Sequence, residues 1–120
     1  MSNQVTMDQN LAERLDLLHD TNQISDVIFS KVPLLLKRVE DEFGIKLDEE
    51  NGGAFITHLC IALQRIENGE SIQGTPEGLQ FLAEKYPDLF SFAKNLLETD
   101  EEAEILYITL YLCTLTGKGE

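Results

Sequence analysis

Gly53-Ala54-Phe55-Ile56-Thr57-His58-Leu59-Cys60-Ile61-Ala62-Leu63-Gln64-Arg65-Ile66-Glu67-Asn68-Gly69 is the stretch whose periodicity decides the fold. Phe55, Leu59, Ala62, Leu63 and Ile66 recur at steps of three and four residues, which predicts a helix, and Gly69 can close it in the left-handed conformation. Apolar residues cover most of its circumference, so the helix is expected to be buried on most sides. Its polar residues Thr57, His58, Gln64 and Arg65 are read as one narrow stripe, with His58 and Arg65 on one face about 10 Å apart along the axis. Two readings of His58 stand side by side: a satisfied histidine flanking a core helix, or a nucleophile or proton carrier, since imidazole is available near neutral pH. Arg65 reads as a surface cation whose stem covers apolar neighbours.

Outward from this helix the chain stays helical. Leu11, Leu15 and Leu18 mark a short amphipathic helix ending near Asp20, with His19 as a solvated last-turn cation that favours the helix dipole. Ile28, Val32, Leu35, Val39 and Phe43 give one face of a second helix from Ser25 to Phe43, stopped by Gly44. Pro33 is expected to kink it or to restart its second half. Residues 45–52 read as a turn whose Asp48, Glu49 and Glu50 place negative charge where the central helix begins. They do not make a calcium loop, because Leu59 stands where an EF-hand starting at Asp48 needs its acidic twelfth ligand. Beyond Gly69, Thr75 with Pro76 predicts a short helix to about Lys85, and Pro87 restarts the chain with Leu89, Phe92, Ala93, Leu96 and Leu97 as an apolar face. Thr99-Asp100-Glu101-Glu102 is expected to act as a capping box for a last helix that ends at Gly117. No stretch alternates with period two, so the expectation is an all-α protein.

The 120 residues suit one domain, and 22 acidic against 9 basic residues give a formal charge of -13. Such a field repels phosphate backbones and anionic membrane surfaces, which speaks against direct nucleic-acid or membrane binding. Cys60 and Cys113 lie inside apolar helical patterns without paired spacing, so neither a zinc site nor any other metal or cofactor is expected. With no secretory signal pattern and no apolar run long enough to span a bilayer, the chain reads as cytoplasmic. It shows no Gly-rich phosphate loop, no second base or nucleophile beside His58 and no paired metal ligands, so it does not read as an enzyme. The Asp-Ser-Leu attachment site of acyl carriers is also absent.

Four pieces in sequence carry a resemblance. They are Val39-Glu40-Asp41-Glu42-Phe43-Gly44-Ile45; Phe55-Ile56-Thr57-His58-Leu59 with Arg65, Asn68-Gly69 and Ile72; Lys85-Tyr86-Pro87-Asp88-Leu89-Phe90-Ser91-Phe92-Ala93-Lys94; and Glu104-Ile105-Leu106-Tyr107-Ile108-Thr109-Leu110-Tyr111-Leu112. In this order they resemble the PTS regulation domain (PRD) family over roughly residues 26 to 116. The resemblance implies a PRD-like five-helix bundle, here over residues 25–117 behind an N-terminal extension of residues 1–24 with its own short helix. It further implies a bacterial, dimeric module of transcription regulation in carbohydrate uptake or metabolism, standing alone in this chain and controlling a regulatory partner protein. Phosphoryl groups would come from the histidine phosphocarrier protein or the sugar-transport components of the phosphotransferase system. By resemblance His58 is the phosphoacceptor and Arg65 its accompanying basic residue, with Gln64 and Thr57 along the same stripe as further phosphate-stabilising candidates. Tyr111 stands where the closing helix of the family has its second histidine, and a phenol is not a ready phosphoryl acceptor. The rival expectation is a structural dimerisation module that keeps the bundle without phosphorylation.

Overall fold

A computed structural model describes residues 7–72 and 78–117. Six α-helices follow one another: α1 (Gln9–Asp20), α2 (Asp26–Phe43), α3 (Glu49–Asn68), α4 (Phe81–Lys85), α5 (Pro87–Leu97) and α6 (Glu102–Thr116). No strand occurs among the described residues. The all-α expectation of five helices behind a short N-terminal one therefore holds.

The chain divides into two compact units, Met1–Gln64 and Arg65–Glu120. In the first, α1 is capped by Asp8, whose carboxylate accepts from the backbone N–H groups of Asn10 and Leu11. It packs on α2 and buries Leu11, Leu15 and Leu18. Removing a leucine side chain from water is worth about 2 kcal/mol, so this stripe alone is enough to dock α1. Ser25 caps α2 through Ile28 N–H, and Gly44 closes it at φ 64°. Helix α2 runs unbroken from Asp26 to Phe43 through Pro33, so it is not restarted there as the sequence suggested. The ring lies on the half-buried flank of α2, where Pro33 and Leu36 line a shallow crevice with Met7, Asp8, Leu11 and Leu47. Packing on this flank holds together a helix that has lost one hydrogen bond.

Helix α3 begins one turn earlier than expected. Asp48 and Asn51 exchange hydrogen bonds, Asp48 N–H to Asn51 Oδ1 at 2.8 Å and Asn51 N–H to Asp48 Oδ1 at 2.9 Å, a reciprocal cap that draws Gly52 and Gly53 into the helix. Leu47 and Leu11 pack over Gly52, where a Cβ would stand in ordinary van der Waals contact at 3.4 Å from Leu47 Cδ2 and 3.8 Å from Leu11 Cδ1. The Glu40 carboxylate accepts from Leu47 N–H at 2.8 Å and pins the joint between α2 and α3.

In the second unit α4, α5 and α6 pack on one another. The Thr75-Pro76 start expected for α4 lies outside the described residues, within which that helix comprises Phe81–Lys85. Pro87 opens α5 at its first helical position, as its fixed φ favours. The capping box expected for α6 is not formed. Glu101 is the cap residue without a side-chain cap bond, and the Thr99 hydroxyl accepts only from Glu101 N–H at 3.2 Å, a local turn placed before the helix starts. Apolar residues encircle α6, and buried Thr109 satisfies its hydroxyl by donating to Ile105 carbonyl at 2.7 Å.

Candidate functional site

The polar residues of α3 do not form one cluster. At 100° per residue Thr57 and His58 point a quarter-turn apart, so the chain carries two neighbouring stripes, Thr57 with Gln64 and His58 with Arg65. Each residue has its own surroundings.

Thr57 belongs to a network with α1. Arg14 grips the Glu49 carboxylate through Nε (3.2 Å, Oε1) and Nη2 (Oε2), and its Nη1 donates to Thr57 Oγ1 at 3.1 Å. The Thr57 hydroxyl donates in turn to Gly53 carbonyl at 3.0 Å. A glycine at position 53 lets this pair lie against the helix, since a Cβ would stand 2.9 Å from Glu49 Oε2 and 3.3 Å from Arg14 Nη2. The Arg14 hydrogen bond holds the Glu49 carboxyl below the usual range, against the opposing effect of desolvation and with help from the guanidinium charge. The same bond raises the Arg14 guanidinium.

Gln64 faces the joint between α1 and α2. Its Oε1 accepts from Ser25 N–H at 2.8 Å, so it fixes the residue that caps α2. Arg65, on the last turn of α3 in the second unit, is not the surface cation that the sequence suggested. It forms a forked pair with Glu104 of α6, Nε to Oε2 at 2.7 Å and Nη2 to Oε1 at 3.0 Å. The Glu104 side chain is 1% exposed and that of Arg65 27%. The hydrogen bond from Glu104 is the main reason the Arg65 guanidinium is raised, followed by desolvation, which lowers it, and by the nearby Glu104, Glu70 and Tyr107 charges.

His58 is half-buried on α3, and its Nε2 is enclosed, with less than 1 Å² open to solvent. Tyr111, at the position read as lacking a second histidine, is half-buried on α6. Burial pushes the Cys60 thiol up to about 12, so it is a protonated core side chain at neutral pH rather than a nucleophile. No group of three His, Cys, Asp or Glu side chains suited to a metal occurs among the described residues. No helix there is long and apolar enough to cross a membrane.

Three partners escaped the sequence reading: Arg14, Glu49 and Glu104. Glu104 left a signal, a carboxylate inside the apolar run from Ala103 to Leu106, which a buried cation has to match. Arg14 and Glu49 left none, because a pair 35 residues apart has no periodicity to reveal it.

A family model for the PRD domain matches residues 34–114 of the 120. The chain belongs to the PRD family. It therefore carries a regulatory domain of the phosphotransferase-system type, and the match includes the second half of α2 from Leu34, all of α3 with His58 and Arg65, and α6 almost to its end. Comparisons with curated proteins and with solved structures find no significant match.

Proposed function

We propose that this protein is a cytoplasmic regulator of carbohydrate uptake or metabolism. In this reading it receives a phosphoryl group on His58 from phosphohistidine-bearing proteins of the phosphotransferase system, and its contacts with a partner change in response. Membership of the PRD family, with His58 on α3 inside the matched residues, is the observation that carries this reading. The enclosure of Nε2 supplies a physical coupling. A phosphoryl group brings about two negative charges and cannot be accommodated on a buried nitrogen without local repacking, so modification and conformation become one equilibrium. Residues 25–117 act as the regulatory module in this reading, with residues 1–24 as its extension and a homodimer as the working form.

The same geometry bears on the phosphate-stabilising roles of Arg65, Gln64 and Thr57. Each has an internal partner, Glu104, Ser25 N–H and Arg14 respectively, so each would have to exchange that partner for phosphate. Arg65 is the strongest candidate, because its fork already holds a carboxylate and suits a phosphate equally. A second reading, a structural dimerisation module without phosphorylation, is favoured by Tyr111 and by these internal commitments. Intact-mass spectrometry after incubation with the donor proteins separates the two. A lasting acid-labile gain of one phosphoryl group, lost in His58→Ala, is expected; no gain with any donor leaves the structural reading.

A further inference from the structure

The second histidine of the chain is built differently from a solvated helix end. His19, on the last turn of α1, approaches Asp26 of α2 with Nε2 2.7 Å from Oδ1, and its ring stacks on Phe29 at a centroid distance of 4.1 Å and an interplanar angle of 16°. An ionised carboxylate only accepts hydrogen bonds, so Nε2 carries the ring proton and the lone pair of the neutral ring resides on Nδ1. No hydrogen bond to Nδ1 occurs among the described residues; the side chain is 30% exposed, and Nδ1 is not an enclosed nitrogen as His58 Nε2 is. The frame is fixed from both sides. Thr21 Oγ1 donates to Leu17 carbonyl at 2.8 Å after α1, and Gln64 holds Ser25 N–H just before Asp26.

We propose that His19 is a second phosphoryl-accepting histidine of this chain, with Nδ1 as nucleophile and Asp26 and Phe29 as positioning residues. Its biological donor rests on the function proposed above, whereas its reactivity rests on the dyad itself. The Nδ1 lone pair forms an N–P bond as the N–P bond of a donor phosphohistidine breaks. The donor imidazole leaves neutral, having taken up a proton on its other nitrogen, and the Nε2 proton of His19 passes by way of Asp26 to water. An imidazole oriented by a carboxylate, ring-stacked and open at the opposite nitrogen, has the geometry of an activated nucleophile. The product adds negative charge at the carboxyl end of α1, which the helix dipole disfavours, so the group on His19 is short-lived.

The test treats the native protein with potassium phosphoramidate, which transfers its phosphoryl group and releases ammonia, and localises early label by peptide mass mapping. Early label is expected on His19, retained in His58→Ala and lost in His19→Ala, with labelling roughly tenfold slower in Asp26→Ala. Ring-nitrogen NMR shifts are expected to show the Nε2–H tautomer of His19 in the native chain and a mixture in Asp26→Ala, a change that a merely structural Asp26 would not produce. Early label confined to His58, or absent from both histidines, overturns the inference, and the first of these leaves the proposed function standing. Label on His19 from phosphoramidate, with none on either histidine from the donor proteins, supports the inference and overturns the proposed function.

Discussion

At the scale of single residues the Arg65–Glu104 pair is the most consequential contact, because one partner is fully buried. A carboxylate held in the interior is tolerated only while its cation is present. Replacing Arg65 with Ala therefore strands Glu104 and is expected to cost about 3 kcal/mol in chemical denaturation. Glu104→Gln leaves the cation partly exposed and able to rehydrate, so it is expected to cost less. The double variant Arg65→Met with Glu104→Leu, which removes both charges into apolar surroundings, is expected to regain most of the loss. A cost below about 1 kcal/mol for Arg65→Ala, the range of surface pairs, would show that the pair is not desolvated.

Among elements, the seat of α1 on α3 depends on pH. Glu49 has its carboxyl lowered by Arg14 from an ordinary value of 4.5, so the folded state prefers the ionised form more than the unfolded chain does. Its contribution is then fully present above that ordinary value and is lost as pH falls through the lower folded value. The stability gap between the native protein and Glu49→Gln is expected to be constant near neutral pH and to close as pH falls through the lowered Glu49 value. A gap independent of pH would mean that the glutamine fails for packing reasons instead. Both side chains are 38% exposed, so the gap is small. The helices themselves were legible in the sequence because their signals are local: Gly44, Gly69 and Gly117 all adopt positive φ where the chain was expected to stop, and Ser25 and Pro87 open helices. The misjudged boundaries came from competing local signals. The segment up to Gly52 reads as a turn until the Asp48–Asn51 cap is recognised, and Thr99 satisfies the pattern of a capping box while α6 starts beyond it. The site was legible only as far as α3 and its polar residues. What each of them touches is decided by partners such as Glu104 and Ser25, each 39 residues away, which no spacing encodes.

For the whole molecule, the homodimer proposed above has to form against like charge. Each copy carries a formal -13, so two copies repel through water over a Debye length of about 10 Å at 0.1 M salt and about 30 Å at 0.01 M. Among the described residues, the exposed large apolar side chains are Leu17, Val27 and Leu34 in the first unit and Phe81 and Leu110 in the second, and burial of such side chains can offset that repulsion. A dimer held in this way tightens as salt is added, since screening weakens the repulsion while apolar burial is little affected. Light scattering at fixed protein concentration is expected to show the mass rising from near 13.5 kDa toward twice that value as ionic strength increases from about 0.01 to about 0.3 M. A dimer that dissociates as salt is added would instead be held by ion pairs, and the apolar account of its interface would fail. Added phosphate charge pushes in the opposite direction to salt, so stoichiometric phosphorylation is expected to shift the midpoint of the mass transition to higher ionic strength, and an unchanged midpoint would separate phosphorylation from assembly altogether.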